Sequence, residues 1–155
     1  MPKITFVTIP NLRVASIELV GSYHHFGEGL SELSAWLESR EISADGPPMG
    51  LFYDNPLEIP TDMLRCKACI PIRDQFTAEG KFNCEDLPGG LVAKTRHEGK
   101  PEQYTRTYGA FLESLLNSGY DLMGPAREVF ERVSTDLQPG MGVEIQQPVA
   151  KRNQG

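Results

Sequence analysis

The chain has 155 residues, 39% of them hydrophobic and 23% charged, which suits one globular domain or two intimately packed halves around a sizeable core. Its formal net charge is −6, from 15 Lys and Arg against 21 Asp and Glu, which argues against a nucleic-acid partner and favours cationic over anionic ligands. No stretch approaches the roughly 20 apolar residues that span a bilayer, so no membrane association is expected. Three cysteines, an odd number without a secretion signal, point to a reducing, cytoplasmic setting.

The opening MPKITFVTIP has one Lys, a short apolar run and no small-residue cleavage site, so no signal peptide is expected. RVASIELVG (13–21) reads as a strand. Apolar residues at 26, 30, 33 and 37 then form one stripe of an amphipathic helix from about Tyr23 to Arg40, which ends where Gly and Pro appear. Two strands follow, MGLFYD (49–54) and RCKACIPI (65–72), separated by the turn-rich DNPLEIPTD. Cys66 and Cys69, with Cys84 and His97, have the residue types of a zinc site, but residues three apart on a strand face opposite ways. They read as buried thiols, and neither a metal nor a cofactor is expected. His24 and His25 diverge as adjacent helical residues do. The segment from Gln75 to Gly90 reads as a link. Beyond it come a strand, LVAKTRHEG (91–99), a second helix from about Glu102 to Asn117 with its stripe at 104, 108, 111 and 115, and strands AREVFER (126–132) and GVEIQQPVA (142–150) around the turn DLQPGM.

These elements recur at a constant spacing of 78 residues. Val14-Ala15 matches Val92-Ala93, Gly21 matches Gly99, and Phe26, Leu30, Leu33 and Leu37 match Tyr104, Tyr108, Phe111 and Leu115. Gly46-Pro47 matches Gly124-Pro125, Leu51-Phe52 matches Val129-Phe130, and after a shift of three Ile70 matches Ile145. The chain is therefore predicted to be a single domain, 1–155, made of two β-α-β-β repeats, about 10–74 and 88–150. Joined, they would make an α+β fold: one antiparallel sheet, two helices on one face, and a central ligand cleft at the pseudo-twofold axis.

The run GPAREVFERV (124–133) raises the main functional question. Alternation gives Ala126, Glu128 and Phe130 one face, and Arg127, Val129 and Glu131 the other. The second face takes two charges and reads as wet, which leaves Glu128 on the dry one. Its counterpart is Gly50, so one repeat supplies a carboxylate where the other leaves space. Leu33, Leu37 and Leu115 read as plain core. Trp36, Tyr53, Tyr104 and Tyr108 carry polar atoms that need partners when buried, which suits a cleft wall better than a dry core.

GLFYDNP (50–56) resembles the YDNP strand-turn of the GyrI-like small-molecule-binding family, which includes stand-alone proteins and effector-binding domains of AraC- and MerR-type regulators. The resemblance extends through Gly21-Ser22-Tyr23, Trp36, LPGGLVA (87–93), His97 with Gly99, SGY (118–120), GPAREVF (124–130) and EIQQPV (144–149), nearly the whole chain. The family often has Gly-Pro-Tyr where this chain reads Gly99-Lys100-Pro101, so a loop contact from an aromatic is lost. No helix-turn-helix pattern precedes the domain, and reading of DNA sequence by that route is not expected.

The resemblance implies the duplicated fold and a cleft for hydrophobic, often cationic or aromatic molecules, with a glutamate at the position of Glu128 among aromatics. It also implies three functions. In the first, a stand-alone binding module, Glu128 meets a cation while Trp36, Tyr53, Tyr108, Phe111 and His97 line the site. In the second, a hydrolase of electrophilic cyclopropane-containing compounds, Glu128 acts as general base or acid with Tyr53 or His97 orienting the substrate. The third is a protein-interaction role such as inhibition of DNA gyrase. A buried carboxylate costs several kcal/mol unless compensated, and a cation compensates it. Ligand binding is the leading expectation, and no oligomeric state is implied.

Overall fold

A computed structural model describes residues 3–55, 57–98, 103–130 and 141–152, without the side chains of Tyr104, Thr105 and Met141. Residues 99–102 and 131–140, which include Glu131, lie outside the described residues. In chain order the elements are β1 (Thr5–Ile9), β2 (Leu12–Val20), α1 (Phe26–Ser39), β3 (Met49–Phe52), β4 (Arg65–Pro71), β5 (Phe82–Leu87), β6 (Gly90–Glu98), α2 (Tyr104–Asn117), β7 (Tyr120–Leu122), β8 (Arg127–Phe130) and β9 (Met141–Lys151). Strand pairs among the described residues are antiparallel, and the class is α+β as expected.

The chain divides into two compact units, a first of residues 11–88 and a second of residues 1–10 with 89–155. The strand order is β3-β4-β2-β5 in the first unit and β1-β6-β9-β8 in the second, where β7 also pairs with β9. The repeat holds residue for residue: adding 78 to the bounds of β2, α1 and β3 gives the bounds of β6, α2 and β8. The last strand differs by one. Val14 pairs with Pro71 and Val92 with Pro148, so β4 and β9 are related by 77 residues. This corrects the expected shift of three: the counterpart of Ile70 is Gln147, not Ile145.

Two strands were hidden from sequence reasoning. β5 runs through the supposed 75–90 link and pairs with β2, while β1 pairs with β6. Both are short, and FNCEDL contains Asn, Glu and Asp, which are depleted in strands. The strand preceding each repeat thus belongs to the other repeat's unit.

The α1 stripe is buried as expected, while on α2 Tyr108 is half-buried and the Tyr104 side chain lies outside the described residues. Phe26, Leu30, Leu33 and Leu37 are buried on α1, which lies against β2 and β4, and Phe111 and Leu115 are buried on α2, which lies against β6 and β7. Burying each such side chain contributes roughly 1.5–3 kcal/mol. The Ser22 hydroxyl accepts from the His24 amide at 3.2 Å and opens a one-turn 3-10 helix, Tyr23–His25, that leads into α1. Glu41, with φ +58°, takes the left-handed position that closes it.

Candidate functional site

The two units are best compared through the sheet face that each helix covers. In the first unit a Cβ added to Gly29 on α1 would run into the Leu19 side chain, so Leu19 faces the helix, and with it Ile17 and Ala15. Gly50 faces the same way. A Cβ there would lie 2.6 Å from Phe52 Cε2 and 3.0 Å from Phe26 Cε2. The expected space at Gly50 is therefore already filled by two phenyl rings, whose centroids are 5.2 Å apart. This layer is apolar throughout.

The second unit puts polar groups at the matching positions. Thr95 stands for Ile17, His97 for Leu19, Thr107 for Gly29, Tyr108 for Leu30 and Glu128 for Gly50. Thr95, His97 and Glu128 are all buried, Glu128 with 8% of its surface exposed. Glu128 pairs across the sheet with Ile145, and Thr95 pairs with Ile145 from the other side, so all three side chains share one face. Buried Ala126, Phe130, Val143 and Ile145 complete the surroundings.

Burial pushes the Tyr108 phenol well above its ordinary range, and the charge of Glu128 pushes it further. Tyr108 therefore keeps its proton beside the carboxylate. His97 Nδ1 lies 2.9 Å from Thr107 Oγ1, which bridges β6 and α2, and Phe111 is wholly buried one helical turn beyond Tyr108. Glu128, Tyr108, His97 and Phe111 thus belong to one helix–sheet layer. Thr95 and Thr107 were missed. The signal that finds them is a polar residue whose repeat counterpart is apolar.

The other face of β8 corrects the expectation of a wet side. Arg127 is only 5% exposed and Val129 is buried as well. Lys94 and Glu144 form an ion pair at 3.2 Å on that face, and Gln146 Nε2 donates to Glu144 at 2.6 Å. Four residues of alternation reveal which side chains share a face, not whether water reaches it.

Residues 2–149 match the family of the GyrI-like small molecule binding domain. The protein belongs to the GyrI-like family. A DNA gyrase inhibitor of Escherichia coli (strain K12) is 29% identical over 124 residues, 76% of this chain and 78% of its own. The EcmrR C-terminal domain superposes with a TM-score of 0.83 at 18% identity, covering 97% of this GyrI-like chain and 99% of that domain. SAV2435, in a structure bound to tetraphenylphosphonium, superposes with a TM-score of 0.63 at 11% identity, over 96% and 94% of the two chains. Both superpositions bear on the fold alone.

Two further residues expected at the GyrI-like site lie in the first unit, in different surroundings. Trp36, on α1, stacks on Phe82 with centroids 4.6 Å apart and meets Phe76 at 5.0 Å. Ion pairs Arg40–Glu79 and Lys81–Glu32 fasten residues 79–81 to the same helix. Tyr53 follows Phe52 and points to the face away from α1, where it meets Lys67. Burial pushes its phenol up, against the pull of the Lys67 ammonium. Lys67 Nζ is 2.9 Å from Glu85 Oε1, and the Ser16 hydroxyl donates to Glu85 Oε2 at 2.5 Å. Burial disfavours the Glu85 charge, but the hydrogen bonds from Ser16 and Lys67 and the charge of Lys67 outweigh it, holding the carboxyl below the usual carboxylate range. Burial likewise disfavours the Lys67 charge, and Glu85 together with Tyr53 and Cys69 outweighs it, so that ammonium is raised. Cys66 and Cys69 are buried on opposite faces of β4. Among the described residues no helix is long and apolar enough to cross a membrane.

Proposed function

We propose that this GyrI-like protein binds hydrophobic cations, with the Glu128 carboxylate as the recognising charge, Tyr108 beside it, and Phe111 among the apolar walls. One observation carries the reading: the buried Glu128 lies in a layer that the other repeat fills with hydrocarbon. A carboxylate in such surroundings costs several kcal/mol in desolvation. A cation compensates that cost, while a neutral ligand of the same shape does not. Aromatic rings add about 0.5–2 kcal/mol of cation–π attraction each. The tetraphenylphosphonium held by SAV2435 supports the choice of ligand class by analogy of fold.

Calorimetric titration with tetraphenylphosphonium and with neutral triphenylphosphine oxide tests this. Wild type should favour the cation, and Glu128→Gln should lose that preference, weakening cation binding by ~30-fold or more. Equal affinity of wild type for both compounds would sink the proposal. The hydrolase reading is separated on cyclopropane-bearing electrophiles: product formed by wild type and abolished in Glu128→Gln would favour it. A second reading, inhibition of gyrase, rests on the name of the Escherichia coli relative. A supercoiling assay with purified gyrase decides it, and unchanged supercoiling at micromolar protein would exclude it.

A further inference from the structure

Beside the carboxylate, one polar pair ties α2 to the sheet. Thr107 Oγ1 donates to the Gln103 carbonyl at 3.2 Å and lies 2.9 Å from His97 Nδ1. The His97 ring and the Thr107 hydroxyl share this hydrogen bond in either ring tautomer, since a hydroxyl both donates and accepts. Thr107 is held from both sides, by its own helix and by β6.

The first unit makes the same helix–sheet contact with no polar atom. Leu19 occupies the place of His97, and Gly29 leaves room for it on α1. Filling this point of the layer therefore needs hydrocarbon only. A hydrogen bond adds direction: dispersion contacts tolerate sliding, whereas a hydrogen bond weakens steeply as its angle closes.

Thr107 and Tyr108 are neighbours, about 100° apart around the helix, so an anchor on β6 sets the azimuth at which Tyr108 meets Glu128 on β8. A turn of ~20° about the α2 axis would move a tyrosine hydroxyl by about 3 Å, enough to break a polar contact.

We infer that His97 is a positioning residue: through Thr107 it fixes the rotation of α2, and with it the place of the Tyr108 hydroxyl relative to the Glu128 carboxylate. The inference rests on the reading of Glu128 and Tyr108 as the ligand site, and it gives His97 no contact with the ligand.

The test uses the full chain labelled with 13Cζ-tyrosine, so that each phenol's titration is read separately by NMR, with tetraphenylphosphonium affinity measured alongside. Thr107→Val keeps the shape of the side chain and removes the hydroxyl. It should lower the Tyr108 titration by the part that the Glu128 charge adds to burial, and weaken cation binding at least fivefold. Thr107→Ser should restore both. His97→Leu combined with Thr107→Gly copies the first unit's packing, guards against a folding failure, and should behave like Thr107→Val. An unmoved Tyr108 titration, with affinity within twofold of wild type, in the folded Thr107→Val and double variants would overturn the inference. If wild type binds no cation, the functional reading fails, and the Tyr108 titration alone then decides the positioning role.

Discussion

β2, α1 and β3 of the first unit recur 78 residues on as β6, α2 and β8 of the second, yet the layer between helix and sheet differs in chemistry between the units. In the first, Ile17, Leu19, Gly29, Leu30 and Gly50 give hydrocarbon against hydrocarbon, with Phe26 and Phe52 closing the place where a side chain on residue 50 would go. In the second, the same five places hold Thr95, His97, Thr107, Tyr108 and Glu128. Since the apolar version folds, the polar version is not required by the architecture. Polar groups in such a layer cost free energy to desolvate, and a carboxylate costs most. The difference separates what the fold needs from what a ligand needs.

If the two layers differ only where the ligand is expected, their shared core positions should be equivalent. Leu33→Ala and Phe111→Ala remove counterpart side chains that are fully buried, and should cost about 2–5 and about 3–5 kcal/mol respectively in urea unfolding. A cost under ~1 kcal/mol at either position would break the equivalence.

The equivalence itself was legible in the sequence, because apolar stripes at 26, 30, 33, 37 and 104, 108, 111, 115 repeat the same helical face. Glu128 stands out by alternation, as a charge on the face that reads as dry, and the repeat sets Gly50 against it. The filling of the Gly50 site was only half legible: Phe52 shares its face of β3 by alternation, but Phe26 is brought there by the fold from the start of α1. β5 was invisible behind its Asn, Glu and Asp, and the dryness of Arg127 depends on what covers the sheet rather than on alternation. Thr107 lies in the polar-looking run QYTRTY, where Gly29 as its repeat counterpart is the signal in the sequence and its distance to His97 shows what it does.

The closed first layer gives the next contrast. Gly50→Ala should destabilise the protein by about 1–3 kcal/mol, because the new methyl meets two rings, and should leave cation affinity unchanged. Unchanged stability would mean that the rings move aside freely and that the first layer is not closed.

The smallest effect concerns the Ser16–Glu85–Lys67 cluster on the first unit's other face. The Glu85 carboxyl is lowered, so its contribution is present above the ordinary range of an unfolded glutamate, near pH ~4.3, and is lost as pH falls through its own lower value. Lys67 is raised, and its share is lost only as pH rises through its own higher value. Because the pair is partly exposed, Glu85→Gln should reduce the loss of stability between pH 5 and pH 3 by less than ~1 kcal/mol. An acid transition identical to that of wild type would show that the pair contributes nothing to it.

The most direct test melts wild type and Glu128→Gln with and without tetraphenylphosphonium. If Glu128 is held for a ligand rather than for the fold, the variant without ligand should be at least as stable as wild type, and the cation should raise the melting temperature of wild type only. A variant that melts well below wild type yet is stabilised equally by the cation would contradict the account.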